Sequence, residues 1–352
     1  MSLAAPRILS VGTAHPPTRY TQEDILARFR IEDPAVRSVF RSAHIASRYL
    51  YLPEPGPDGL PHESMSELLA KHRHGARELG AQALARCLGP LGATPADVDY
   101  LAVVSSTGFM LPGLSAMYVK HLGFRTDCHR LDVVGMGCNA GLNGLNPVAQ
   151  WAAANPGRLA VMVCAEINSA LYTDDPSLGN GVVNALFGDG LAAVALRSDP
   201  RDEPRFAPRV LGFQSHIIPD TWDAMHYAWD ESRGRFGFHL DRDVPYVLGA
   251  HAETPVAALL ARHGLHRRQV HHWLVHSGGR KVIDAIKYTV GLTEHDVRHT
   301  VGVLHDMGNL GSGSFLFSYE RLLAEGVVRR GDAGVLMTMG PGSTIETALL
   351  RW

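Results

Sequence analysis

Little in this chain points to a covalent or metallic scaffold. Its 352 residues hold four cysteines, Cys87, Cys128, Cys138 and Cys164. They are too few for a disulfide framework, and no CxxC pair marks a zinc site. The nineteen histidines are scattered. Where they cluster, in "KHRHG" and "VHHW", spacings of two and one send the rings to different faces of a helix or strand, so no metal site is expected. Net charge is nearly absent as well, at −2. That balance argues against nucleic acid or an anionic membrane as main partner, because both select basic surfaces. The apolar runs "RLAVMVCAEI" and "DAGVLMTM" stop well short of the ~18 residues that a membrane span needs. The opening "MSLAAPRILSVGTAHPP" has no charged segment leading into an apolar one, so no secretory signal is read and a cytoplasmic location is expected. No glycine loop of the phosphate-gripping kind is present.

What is present is alternation. At 45% hydrophobic and 19% charged, the composition is that of a globular protein long enough for two linked subdomains. Amphipathic helical stretches alternate with short apolar strands, which indicates an α/β protein. The alternation also repeats. "GARELGAQALARCLGPLG" leads through a turn into the strand of "ADVDYLAVVSSTG", and "AETPVAALLARHG" leads likewise into "QVHHWLVHSGG". Gly92 aligns with Gly264, Val98 with Val270, Val103 with Val275 and Ser105 with Ser277, which sets Val104 opposite His276. A second pair follows. "RLDVVGMGC" precedes a helix and the strand "RLAVMVCAE", while "GVLHDMGN" precedes the helix "LGSGSFLFSYERLLAEG" and the strand "DAGVLMTMG". An internal repeat of this length implies a duplicated architecture. The two halves are read as residues 1–200 and 201–352, divided within the polar, proline-containing stretch 197–208.

The repeat places Cys138, His276 and Asn309 at points where strands end and helices begin, where functional groups of α/β sheets gather. Each has an ordinary alternative. A free cysteine is commonly inert core, and Cys87 in an amphipathic helix and Cys164 in an apolar strand fit that reading. Cys128 lies in a polar connection with nothing to mark it. Cys138 differs: glycines beside it permit a sharp turn, and a helix N-terminus favours a thiolate. His276 could equally be a core histidine, and Asn309 a turn or cap residue. Together the three supply a thiol, an imidazole and an amide donor, the set that thioester chemistry requires. Pro147 lies inside the helix after Cys138, where it removes a hydrogen bond, so a kink or break is expected.

At these residues the sequence resembles the type III polyketide synthases of the thiolase superfamily. "GMGCNAG" is similar to the family's nucleophile segment, "WLVHSGG" to its histidine motif and "GNLGSGS" to its asparagine motif. "NALFGDG" and "FGFHLDRDVP" resemble the segments that shape the substrate passage, and "GPGSTIET" the C-terminal glycine loop beside the pocket. "VLMTMGPGSTIE", "SSTGFMLPGLSA" and "RHTVGVLHDMGNL" are similar to a bacterial branch serving glycopeptide-antibiotic pathways.

The resemblance implies a thiolase fold of two pseudo-duplicated αβαβα halves in five layers. It implies that Cys138 carries the growing chain, with His276 and Asn309 binding the thioester oxygen of malonyl-CoA during decarboxylation. Phe187, Phe238, Leu111, Gly340, Pro341 and Gly342 would shape the pocket. Gly311 stands where the family pattern leads us to expect serine, which would widen the cavity near the thiol. Four malonyl units losing four carboxylates would give a C8 chain, closed from C8 to C3 into a ring with two hydroxyls and a CH₂–thioester arm. A resorcinol or hydroxynaphthalene product is the alternative within the family. Malonyl-CoA is then substrate, no cofactor is implied, and a homodimer is implied in which Met110 and Leu111 reach the neighbour's cavity. Downstream enzymes would take up the acyl-CoA product. For the CoA moiety, Arg37, Arg41, Arg280 and Lys281 are candidates, a solvated basic surface being the ordinary reading of each. A ketoacyl synthase III would typically follow its histidine with Gln-Ala-Asn, whereas this chain reads "VHSGGRK". A non-catalytic thiolase-fold partner subunit would usually lack the nucleophile or its partners.

Overall fold

In the computed structural model, residues 5–172, 178–198, 207–231 and 234–352 are described. They form the strands β1 (Arg7–Ala14), β2 (Arg19–Thr21), β3 (Ser47–Tyr49), β4 (Tyr100–Ser105), β5 (His129–Val134), β6 (Ala160–Glu166), β7 (Gly190–Arg197), β8 (Arg209–Ile217), β9 (Met225–Asp230), β10 (Arg235–Leu240), β11 (Val270–Val275), β12 (Ala333–Gly340) and β13 (Thr344–Arg351). The helices are α1 (Gln22–Arg28), α2 (Pro34–Ser42), α3 (Met65–Leu88), α4 (Leu114–Leu122), α5 (Ala140–Ala154), α6 (Leu178–Leu186), α7 (Val244–His251), α8 (Glu253–Arg262), α9 (Arg280–Val290), α10 (Arg298–Met307) and α11 (Ser314–Glu325).

Nine strands join in the order β11-β12-β13-β8-β1-β7-β6-β4-β5. Read from the seam outward, β1-β7-β6-β4 matches β8-β13-β12-β11, so the duplication holds strand for strand. The aligned glycines Gly92 and Gly264 take the same left-handed turn, with φ of 62° and 64°. The two half-sheets are stitched to each other by little: Arg7 pairs with Arg209, flanked by Ile8 N–H to Pro208 O and Val210 N–H to Pro6 O. The sheet is mixed. Pairing is parallel for β4 with β5 and β6, and for β11 with β12; it is antiparallel elsewhere. Among the described residues β5 has no strand counterpart in the second half, where helix α10 occupies that stretch of chain.

Period-two patterning builds the layers. Along β4, Ala102 and Val104 face one core with Met162 and Cys164, while Leu101 and Val103 face another with residues of α3. The first of these cores also contains Leu142 and Leu145 of α5, Phe315 and Leu316 of α11, and Leu336 and Leu350 of the second half. Helices α5 and α11 therefore form a central layer between the two half-sheets. The far face of the second half-sheet, through Val335, Met337 and Ile345, packs on Leu259 of α8 and Ile283 of α9. Counted through, helix, sheet, helix, sheet and helix layers give the five-layered thiolase fold.

Of the kink or break expected at Pro147, the break does not occur, since helix α5 runs on through it. The stretch proposed as the boundary between halves lies largely outside the described residues, between the end of β7 and the start of β8.

Candidate active site

The central layer decides where the chemistry sits. After β5 the chain turns at Gly135 (φ 79°) and Gly137 (φ 69°) into a single 3₁₀ turn, Gly137–Asn139, that feeds α5. Cys138 occupies this turn. In the second half, α10 ends at Gly308 (φ 75°), Asn309 follows, and the 3₁₀ turn Gly311–Gly313 feeds α11. The two helix starts touch. A Cβ at Gly141 would stand 2.2 Å from Ser312 O and 2.6 Å from Phe315 Cε1, so only a glycine allows this approach.

Asn309 is oriented from both sides. Its Oδ1 accepts the Gly311 N–H at 2.9 Å, which turns its NH₂ toward Gly278 O at 3.4 Å and toward the Cys138 thiol. Gly278 in turn lies against the His276 ring, where a Cβ would meet Nε2 at 3.1 Å. His276 follows β11, held by its N–H to Met337 O at 2.8 Å, with Nδ1 at 2.5 Å from Ser314 Oγ. Cys138, His276 and Asn309, distant in sequence, thus converge.

Burial dominates the electrostatics here. Burial pushes the Cys138 thiol up to about 12, and the charge of Glu166 adds to it, against hydrogen bonds from Asn309 and from its own backbone. Burial also pushes His276 down to about 3. Burial thus opposes charge on either group alone, against the thiolate that the start of the helix favours. The other cysteines, Cys87, Cys128 and Cys164, are buried.

Sequence reasoning missed Glu166. It closes the apolar strand β6, is 1% exposed, and burial raises its carboxyl to about 7. Ser312 Oγ donates to Oε1 at 2.5 Å and Ser106 N–H to Oε2 at 3.0 Å. Tyr227 was missed too; its hydroxyl donates to Ser106 O at 3.1 Å. An acidic residue ending an apolar run was the one available signal for Glu166; Tyr227 had none.

A cavity of about 400 Å³ opens from Cys138, bounded by Glu166, Phe187, Tyr227 and Phe238 among others. Phe187 and Phe238 meet edge to face, ring centres 6.0 Å apart. Gly311, Pro341 and Gly342 also line it. Gly340 does not: it backs the nucleophile turn, where a Cβ would meet Cys138 N at 3.0 Å. At Gly311 (φ +60°) a Cβ would stand 2.9 Å from Glu166 Cγ, so the bare glycine leaves room for that carboxyl. Leu111 lies outside the cavity and is 93% exposed.

The CoA candidates separate. Arg41 and Arg280 share a cleft of about 670 Å³ with His44, Arg298 and His305, beside Glu294 and Asp306. Arg37 is held by Ile31 O and Glu23, and exposed Lys281 is not part of that cleft wall. Among the described residues no group of acidic, histidine and cysteine side chains could hold a metal. No described helix is long and apolar enough to cross a membrane.

Comparison with known proteins shows the family. Family models of the chalcone and stilbene synthases match residues 4–200 with their N-terminal domain and residues 211–352 with their C-terminal domain. The chain belongs to the chalcone and stilbene synthase family. It is 56% identical over 351 residues to the 3,5-dihydroxyphenylacetyl-CoA synthase of Streptomyces toyocaensis, covering 99% of this chain and 90% of that protein. The protein of the same name from Amycolatopsis balhimycina is 54% identical, with coverage of 98% and 93%. Among solved structures, 1,3,6,8-tetrahydroxynaphthalene synthase from Streptomyces coelicolor A3(2), a bacterial type III polyketide synthase, superposes with a TM-score of 0.89 at 27% identity over 98% of this chain and 99% of that one. This member of the chalcone and stilbene synthase family is accordingly an enzyme, a type III polyketide synthase.

Proposed function

We propose that the enzyme condenses malonyl-CoA, as both starter and extender, into 3,5-dihydroxyphenylacetyl-CoA. The carrying observation is Cys138 on the wall of an apolar cavity of about 400 Å³, with the Asn309 amide turned to its thiol and His276 behind Gly278 beside that amide, in a chain 56% identical to a synthase of that name. In loading, the Cys138 proton passes to His276 as the acyl donor arrives. The thiolate attacks the thioester carbonyl, the carbon–sulfur bond to CoA breaks, and the CoA sulfur takes up the proton. In extension, the bond between malonyl C2 and its carboxylate breaks as carbon dioxide leaves. The electron pair enters an enolate whose oxygen accepts hydrogen bonds from His276 and Asn309. C2 then attacks the carbonyl of the Cys138 thioester, the bond to Cys138 Sγ breaks, the thiolate leaves, and the lengthened chain stands on CoA, ready to be passed back to Cys138. No base is needed, because decarboxylation itself supplies the carbanion. Glu166, with a carboxyl that titrates near neutrality, is placed to exchange protons during ring closure.

The cleft holding Arg41 and Arg280 offers cations to the CoA phosphates. A homodimer fits two features of the surface: among the described residues β5 ends the sheet with an unpaired edge, and Phe109 and Leu111 are 78% and 93% exposed.

Purified protein given malonyl-CoA alone is expected to release carbon dioxide and form an aromatic C8 acyl-CoA or its acid, read by mass spectrometry. Turnover only with an added long-chain or aromatic starter would refute this product. A naphthalene product would point instead to the chemistry named for the Streptomyces coelicolor neighbour.

A further inference from the structure

Behind the His276 ring stands a residue that the reading above leaves without a role. Ser314 opens α11 and is fully buried. Its Oγ accepts the Ser277 N–H at 3.3 Å and lies 2.5 Å from His276 Nδ1. A serine hydroxyl has one proton to donate. Among the described residues, His276 Nδ1 is the one acceptor bonded to it. The Ser277 N–H is a donor, so the hydroxyl proton has a single destination.

We infer that Ser314 is a positioning residue that fixes His276, whenever its ring is neutral, as the Nε2–H tautomer. The opposite edge of the ring is built to suit. At Gly278 a Cβ would stand 2.9 Å from His276 Cδ2 and 3.1 Å from Nε2, so the bare glycine leaves that edge open. The consequence concerns the malonyl step and rests on the reaction proposed above. Decarboxylation transfers no proton to the ring; it builds negative charge on the thioester oxygen. A ring with its lone pair at Nε2 would face that charge with a second acceptor and repel it. A ring with its proton at Nε2 donates to it. Asn309 is treated in the same way, since the Gly311 N–H on its Oδ1 leaves only NH₂ protons to present. Each donor has its polarity set by a partner on its far side, Ser314 for the imidazole and Gly311 for the amide.

The test reads the ring directly. In Cys138→Ala protein no thiol can hand its proton to His276, and burial, which holds the ring well below the ordinary imidazole range, keeps it neutral. With ¹³C,¹⁵N-histidine labelling, the His276 signal is assigned by its loss on adding His276→Gln. Its carbon and nitrogen shifts are expected to report the Nε2–H form. Ser314→Ala in that background is expected to mix the tautomers, and Ser314→Thr, which keeps a hydroxyl, to restore one. In the otherwise native enzyme, Ser314→Ala is expected to lower kcat for malonyl-CoA decarboxylation on the order of 10²-fold with KM little changed, as for an oxyanion donor no longer held in place. Ser314→Thr should recover most of that loss. An Nδ1–H ring in Cys138→Ala protein, or an unchanged tautomer in Ser314→Ala, would overturn the inference. The ring measurement uses no substrate, so it stands even if the enzyme condenses another acyl donor. If Ser314→Ala does not fold, the tautomer in Cys138→Ala protein decides alone.

Discussion

Replacing Gly141 by alanine tests the contact on which the active site is built. The added methyl carbon would lie 2.2 Å from Ser312 O and 2.6 Å from Phe315 Cε1. An ordinary carbon–oxygen contact is about 3.3 Å, so the starts of α5 and α11 must part by roughly 1 Å. The nearer obstacle is backbone, and no rotamer change relieves it. Overpacking of this kind costs about 1–3 kcal/mol of stability. The larger effect falls on chemistry. Cys138 rides on the turn before Gly141, and Asn309 on the turn before Ser312, so parting the helices parts the thiol from the amide. A misplacement of ~1 Å costs about 10²-fold in rate. Carbon dioxide release and product formation from malonyl-CoA would be followed alongside the denaturant midpoint. A variant with native stability and turnover within a few-fold of the parent would refute the claim that this crossing sets the site.

Cys138→Ala is expected to abolish chain formation while leaving the fold intact, checked by product mass spectrometry and circular dichroism; normal product would remove Cys138 from the mechanism. His276→Ala and Asn309→Ala should each impair malonyl-CoA decarboxylation, measured as carbon dioxide release, and full rates in both would refute the shared oxyanion role. Glu166 gives a pH signature. Burial raises its carboxyl from 4.5 to about 7, so the folded protein binds the proton more tightly than the unfolded chain. Stability therefore falls as pH rises from 4.5 and levels off above about 7, by roughly 3 kcal/mol over the window. Glu166→Gln should flatten that slope, read from denaturant midpoints at pH 5 and pH 8; equal slopes in both proteins would count against it. Arg41→Ala and Arg280→Ala should raise KM for malonyl-CoA several-fold and weaken its salt dependence, and an unchanged KM would move the CoA phosphates elsewhere.

The architecture was legible because its signals are local and doubled. Alternation along β4 and β11, glycine turns at Gly92 and Gly264, and glycines beside Cys138 each follow from chain geometry, and the repeat made them corroborate one another. The site was legible where function sits at strand ends. It was not legible where function depends on what buries a group. Glu166 reads in sequence as the polar end of an apolar strand; its raised pKa arises from burial among separate segments of chain, against hydrogen bonds from Ser312 and Ser106 that pull it down. Ser314 reads as an ordinary first residue of a helix, and only folding brings its hydroxyl to His276. Helix propensity argued for interruption at Pro147, yet Leu142, Leu145 and Val148 are buried on both sides of it, and their packing keeps α5 whole.

One short pairing limits how this pocket can change. Phe187 and Asn309 form a parallel bridge, reinforced by Asn309 N–H to Leu186 O and Gly188 N–H to Asn309 O. The backbone that bears the bulky ring at the cavity wall is thereby fastened to the backbone that bears the amide donor. A displacement of one drags the other, so the cavity cannot widen by swinging the 187 segment without unsettling the group that receives charge from substrate. Room for a larger guest has to come from trading side chains on a fixed frame: a smaller residue at 187 or 238, or the bareness already present at 311. Bore and reactivity are bolted to one bracket, and only the lining is free to vary.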